Sequence, residues 1–332
     1  MIIDVHAHAL PPQLMRTIER EQKQFDAYFE IEGNRRWLVI KGRRRGSVIP
    51  EWFDLEHRLA DMDAAGIGIQ VLSPMPFLFY YYAEAAWAAE LSAAVNEGIA
   101  AMAAGDSRFW AIGQLPMQST ELSLKEIDHV RSLGLLGVEI GANIDDGELD
   151  DEALEPVWER LSELGMAVFV HPINPTFLPR MDPYYLTNLV GNPLDTTLAL
   201  SRLILGGVLV RHPGIRFYFA HAGGFMPYLF GRIDHGYRVR DETRAKIDVI
   251  PSTLLSRCYF DTITHAQAPL RYLIESMSDE NVVVGSDYPA DMGDVEIATR
   301  LATLDLSERS RQRIESENAI RLFGLADDLS VP

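Results

Sequence analysis

Met1-Ile2-Ile3-Asp4-Val5-His6-Ala7-His8-Ala9-Leu10-Pro11-Pro12 opens the chain and decides between two ways of building an alternating strand–helix protein. Ile2 to His8 reads as a short buried strand broken by the two prolines, after which Gln13 to Gln24 has helical composition. An open doubly wound sheet should carry a glycine-rich dinucleotide loop at this point, and here the chain has His-Ala-His-Ala-Leu-Pro-Pro. Side chains at i and i+2 of a strand project to the same side, so His6 and His8 could grip one ion. A pair of hydrogen-bonded core histidines is the other reading of that spacing.

Beyond Asp54 the pattern is regular. Short apolar strands are expected at 67–72, 111–115, 137–140, 167–171, 215–221, 258–263 and 281–285. Helices are expected before them at 54–65, 82–104, 120–133, 151–164, 194–209, 224–236 and 267–277, and again from Val295 to Gly324. With the first segment this makes eight strands, each apolar enough to be buried on both faces. The expected fold is α/β, a (β/α)8 TIM barrel. One stretch departs from the rhythm: Tyr28 to Ile31, a turn at Gly33-Asn34 and Trp37 to Ile40 read as a β-hairpin that carries Arg35, Arg36, Arg43, Arg44 and Arg45. The expectation is one barrel domain over 1–332 with a small β insertion after strand 1 at 28–49. The Pro-rich stretch from His171 to Pro193 reads as a long loop over a site.

The 332 residues carry 30 basic and 48 acidic side chains, a net charge of −18, which repels phosphate backbones and anionic membranes. Nucleic acid and membrane are therefore not expected partners. A small-molecule carboxylate remains possible if positive charge is gathered locally. One cysteine, Cys258, excludes an internal disulfide framework and any multi-thiolate metal site, and is read as an inert buried thiol. Neither a leader-like segment nor an apolar run near eighteen residues is evident, so a soluble, cytoplasmic protein is expected.

Three further residues end later strands: His171 in Val168-Phe169-Val170-His171, His221 in Phe217-Tyr218-Phe219-Ala220-His221, and Asp287 after Val284-Gly285-Ser286. In a closed barrel the carboxyl ends of strands 1, 5, 6 and 8 meet at one mouth, where such proteins place their sites. Imidazoles with a carboxylate suit one divalent ion: Zn²⁺, with Fe²⁺, Mn²⁺ or Co²⁺ also compatible.

This pattern resembles the amidohydrolase superfamily. The segments Arg180-Met181, Leu189-Val190-Gly191-Asn192-Pro193, Ala220-His221-Ala222-Gly223-Gly224, Gly231-Arg232 and Gly285-Ser286-Asp287-Tyr288-Pro289 are similar, more narrowly, to the family of amidohydrolase-related metal-dependent decarboxylases. The resemblance implies that His6, His8, His171 and Asp287 hold one divalent metal, usually zinc, with water in an open position. It makes His221 the general acid/base of a non-oxidative decarboxylase of an unsaturated or aromatic carboxylic acid. A metal-dependent hydrolase or hydratase of the same superfamily is the alternative. It also implies a homodimer, with one substrate-binding arginine from the β insertion, best matched by Arg45, and one, Arg232, reaching into the neighbouring subunit's site.

The chain departs from that family in the pocket. Ile173 follows the His-Pro of strand 5 where a tryptophan is usual, and Tyr184 or Tyr185 stands for a later tryptophan. Ala290-Asp291 replaces an aromatic residue after Asp-Tyr-Pro. A related but different acid is therefore expected as substrate. No lysine stands at a strand end, which argues against a carbamate-bridged binuclear site. His265 is expected in a loop after strand 7, and Phe77 to Tyr82 in core or interface packing. His57, His129, His212 and His235 are expected to be structural.

Overall fold

The computed structural model describes residues 1–173, 179–181 and 183–325. Twelve strands occur among them: β1 (Ile2–Ala9), β2 (Ala27–Glu32), β3 (Arg35–Ile40), β4 (Arg43–Ser47), β5 (Ile67–Pro74), β6 (Phe109–Ala111), β7 (Gly113–Gln114), β8 (Gly137–Gly141), β9 (Ala167–His171), β10 (Arg216–Phe219), β11 (Tyr259–Asp261) and β12 (Val282–Val283). β1, β5 and β6 pair in parallel, as do β7 through β12 in order. Ile112 joins β6 to β7 as one barrel strand, its N–H donating to Leu72 O at 3.0 Å. The ring closes where Val5 N–H meets Val284 O at 2.8 Å, His8 N–H meets Tyr288 O at 2.7 Å, and Ala7 bridges Tyr288 in parallel. The result is the expected eight-stranded parallel barrel.

Local chemistry explains the repeat. In the first unit Asp54 caps the helix Leu55–Ala65 by accepting from the N–H groups of Glu56 and His57, and Gly66, left-handed at φ 71°, stops it before β5. The barrel interior is filled by Ile3, Val5, Val71, Ile112, Phe169 and Tyr218, and the last helical turns close its lower end with Ala319, Leu322 and Phe323. Phe169 and Tyr218 stack at 4.3 Å between centroids and form the floor beneath His6, whose ring meets Phe169 edge-on at 4.7 Å.

The insertion is one strand larger than a hairpin. β2, β3 and β4 form an antiparallel sheet, with Ala27 opposite Ile40 and Trp37 opposite Ser47. The added edge strand is the arginine run itself, and Arg44 is pinned to Glu30 and Glu32 at 2.8–3.0 Å. A charged edge strand lacks the apolar alternation that marks β2 and β3. Of the stretch from His171 to Pro193, residues 174–178 and 182 lie outside the described residues. Pro179–Met181 and Pro183–Tyr185 are short turns, and Thr187–Gly191 is a π-helical turn leading into the helix Asn192–Leu205. Among the described residues no helix is long and apolar enough to cross a membrane.

Candidate metal centre and active site

His6 and His8 lie on β1, His171 ends β9, and Asp287 follows β12; their ligand atoms gather within 4.8 Å of one another. All four residues are buried. His6 Nδ1 lies 2.7 Å from Asp261 Oδ2, and His8 Nδ1 lies 3.0 Å from Pro74 O. Both partners can only accept, so both Nδ1 atoms carry the hydrogen and both Nε2 atoms present lone pairs. Those Nε2 atoms sit 3.1 Å apart, and Asp287 Oδ1 sits 3.3 and 3.2 Å from them. Three electron-rich atoms facing one point repel unless a cation lies between them. His171 adds an imidazole whose two nitrogens have no hydrogen-bond partner among the described residues. The donor set therefore fits a divalent ion bound by imidazole and carboxylate.

The electrostatics agree. Burial favours the neutral form of His171, and the other three imidazoles reinforce it, holding its pKa well below the usual range and its nitrogens available as ligands. Burial also opposes charge on His6, yet Asp287 and Asp261 outweigh it and push His6 up to about 10, a proton standing in for the cation. Asp287 is held well below the usual carboxylate range because His6, His221 and His8 overcome its burial.

His221 stands beside this set, with Nε2 3.5 Å from Asp287 Oδ2 and Nδ1 without a hydrogen-bond partner among the described residues. Its backbone is left-handed at φ 55°, as are those of Ala222 and Asp287 at 57° and 55°. Such strain in non-glycine residues needs over-determining contacts, and Asp261 supplies them. Its carboxylate accepts from His221 N–H at 2.9 Å, Ala222 N–H at 2.7 Å and Ile263 N–H at 3.1 Å, besides His6. Gly285 makes room for this arrangement: a Cβ there would come within 2.8 Å of the Asp261 Cβ and 2.9 Å of the His6 Cβ.

Three acidic residues absent from the expected set thus support the site. Asp261 orients both His6 and His221. Asp4 accepts from Ser286 Oγ at 2.6 Å, Ser286 N at 3.0 Å and Gln70 Nε2 at 3.1 Å, tying β1 to the turn that carries Asp287. Glu139 on β8 is fully buried close to Ser73, and its Oε1 is 3.8 Å from His8 Nδ1. Burial pushes the Glu139 carboxyl well above its usual range. An acidic residue inside the apolar run Gly137–Gly141, and one at the end of β11, were the signals that could have found Glu139 and Asp261.

A cavity of about 690 Å³ opens above the metal-ligating set, reaching His8, His171, His221 and Asp287 at its floor. Arg35, Arg44 and Arg45 line its opposite wall, so the insertion roofs the barrel mouth. Arg45 is half-buried and its Nε has no acceptor among the described residues; burial, with Arg43 nearby, lowers its pKa, which Tyr82 and Tyr80 partly offset. Tyr184 does not face the cavity. Its left-handed backbone (φ 63°) turns it outward to 85 % exposure, and Tyr185 lines the wall instead. Arg232 lies exposed on the helix Met226–Val239 and is not part of this cavity's wall. Phe77 reaches the cavity, whereas Leu78 to Tyr81 are buried in the core. His265 is exposed and lines a second opening, of about 320 Å³, that also reaches His221.

Comparison with known proteins gives one consistent picture. A family model described as "Amidohydrolase" matches residues 3–325. A 2-amino-3-carboxymuconate-6-semialdehyde decarboxylase of Dictyostelium discoideum is 32 % identical over 330 residues, covering 97 % of this chain and 91 % of its own. A 6-methylsalicylic acid decarboxylase of Penicillium expansum is 26 % identical over 341 residues, covering 97 % and 95 %. Among solved structures, 5-carboxyvanillate decarboxylase from Sphingomonas paucimobilis superposes with a TM-score of 0.83 at 24 % identity, covering 97 % of this chain and 98 % of that one.

Proposed function

The chain belongs to the amidohydrolase family, and from that premise we propose that it is a metal-dependent, non-oxidative carboxy-lyase acting on an unsaturated or aromatic carboxylic acid. The observation that carries this reading is a metal-ligating floor facing an arginine-lined wall across one cavity, in a chain whose similar relatives are named decarboxylases. The ion, zinc in this proposal, is held by His6, His8, His171 and Asp287, and when bound it supplies a Lewis acid that polarises oxygen substituents of the substrate.

The protein's own groups account for the rest. Arg45 projects donors from the insertion wall and pairs with a substrate carboxylate. Trp37, Trp52, Met75 and Phe77 line the same cavity with apolar surface and exclude water from the reacting carbon. When the bond to the departing carboxylate breaks, its electron pair stays on the substrate carbon and CO₂ leaves. His221 then delivers a proton to that carbon and recovers one from solvent, so no electrons are exchanged. Asp261 holds His221 in place through the two strained peptide N–H groups.

The unit of function in this proposal is one barrel over 1–332 with the insertion as its roof, working in the cytoplasm as a homodimer. Tyr228 and Arg232 sit four residues apart on one face of the helix Met226–Val239, and Tyr228 is 79 % exposed. Leu189 and Phe225, also exposed, line the second opening to His221. A partner docked on this face would cover the apolar side chains and could present its own Arg232 to that opening. Tyr184, exposed beyond the cavity, contacts substrate in this scheme only from such an assembly.

The experiment is direct. Metal-loaded protein incubated with amino- or hydroxy-substituted aryl and muconate-type acids should release CO₂. Products that have gained water, or that arise only by C–N cleavage, would establish the hydrolase or hydratase alternative instead.

A further inference from the structure

The cavity carries a negative group that metal binding does not use. Asp291 lines its wall, held on a tight turn in which Ala290 N–H donates to Asp287 O at 2.7 Å and Gly293 N–H donates to Ala290 O at 3.0 Å. Among the described residues its one side-chain partner is the Tyr185 hydroxyl, 3.2 Å from each carboxylate oxygen. A phenol offers one hydrogen, whereas a carboxylate has about four acceptor positions. No arginine pairs with it, although Arg35, Arg44 and Arg45 stand in the same cavity. The space therefore has one cationic wall, a metal-ligating floor, and a separate acceptor with capacity to spare.

A bare carboxylate in a site for anions weakens binding unless the ligand pays it with a hydrogen-bond donor. We propose that Asp291, with Tyr185, is a specificity-determining subsite for an amino or hydroxyl substituent of the substrate. The acid accepted by this chain then carries a donor group at the Asp291 side in addition to the carboxylate at the arginine wall. This rests on the carboxy-lyase reading for the identity of the reaction, but the recognition itself is a matter of binding.

Binding to the metal-loaded full chain is measured by calorimetry for matched benzoates, each ring position carrying hydroxyl or amino in one member and methyl in the other. At one ring position at least, the donor-bearing member should bind about tenfold tighter or more, as hydrogen bonds to a charged group allow. Asp291→Ala should bring that ratio to near unity, weakening the donor-bearing member while the methyl member, no longer repelled by the carboxylate, binds as tightly as before or more tightly. Tyr185→Phe frees the carboxylate and should preserve or increase the ratio. Three results overturn the proposal: no preference at any ring position, an Asp291→Ala protein that keeps the wild-type ratio, or equal weakening of both members, which would make the Tyr185–Asp291 pair a strap only. Release of CO₂ by the wild type is scored separately, so a donor preference without CO₂ release would refute the carboxy-lyase reading and leave the subsite standing.

Discussion

Replacing Asp261 with asparagine isolates the part that one carboxylate plays in two functions. Asp261 Oδ1 accepts from Ala222 N–H and Ile263 N–H, and an amide oxygen can keep both. The amide NH₂ then occupies the place of Oδ2, facing His6 Nδ1–H at 2.7 Å and His221 N–H at 2.9 Å. Donor meets donor at both contacts. His6 can relieve its clash only by moving its proton to Nε2, which removes the lone pair turned toward Asp287. Two hydrogen bonds to a buried charge are lost, each contributing roughly 1.5–3 kcal/mol. Partners of metal-ligating imidazoles typically set about 10–100-fold in metal affinity, so the remainder of the loss falls on folding stability. Competition of the metal-free variant with a chromophoric chelator for added Zn²⁺ reads the affinity, and thermal unfolding with and without the ion reads the rest. A variant that binds Zn²⁺ as tightly as the parent would refute the tautomer reasoning, whatever its activity.

Other outcomes follow from the same geometry. His221→Ala should retain stoichiometric metal, since His221 lies outside the four-donor set, while CO₂ release falls by about 10²-fold or more; metal analysis and turnover check both halves. Mixing His221→Ala subunits with Arg232→Ala subunits should restore part of the activity that each lacks alone, and no recovery in the mixed dimers would show that Arg232 does not serve a neighbour. Burial, opposed by the Asn143 amide, raises Asp195 to about 6, so its contribution to stability is complete below about pH 4 and is lost as pH rises through about 6. Asp195→Asn should accordingly raise the unfolding free energy near pH 8 and not near pH 4, by at most about 3 kcal/mol less the roughly 0.3–1 that a carboxylate gains at a helix N-terminus, as read by denaturant unfolding at the two pH values.

The barrel was legible because its units announce themselves by an apolar run with a polar residue at the mouth end, preceded in five of them by a glycine (Gly66, Gly105, Gly134, Gly165 and Gly214). His6, His8, His171, His221 and Asp287 could be located because imidazole at the end of an apolar strand is conspicuous. Asp261 occupies the same kind of position at the end of β11, but an aspartate beside Thr262 resembles the ordinary start of a loop. His265, four residues further on, is the more conspicuous residue type, yet its side chain is exposed. Glu139 was hidden differently: its neighbours on β8 fix the strand, and nothing local says that position 139 faces the interior. The third strand of the insertion was missed because three successive arginines look like a solvated turn, yet pairing with β3, and the ion pairs of Arg44 to Glu30 and Glu32, hold the run extended. Which of Tyr184 and Tyr185 faces inward depends on left-handed backbone angles at both, and that choice is made by the surrounding loop.

The barrel seam has a consequence for how the protein comes into being. Asp4 and Ser286, 282 residues apart in sequence, are hydrogen-bonded, and the ion's donors come from both sides of that same join. Closing a loop of that length costs about 5 kcal/mol of chain entropy, and the ion helps to meet it only once both ends exist. A chain that stops before β12 keeps His6 and His8, and His171 where β9 is present, but it lacks Asp287 and cannot complete the donor set. The same segment thus completes both the seam and the donor set: Asp287 N–H donates to His6 O at 2.8 Å, so the residue that finishes the metal-ligating set also helps to hold the barrel shut.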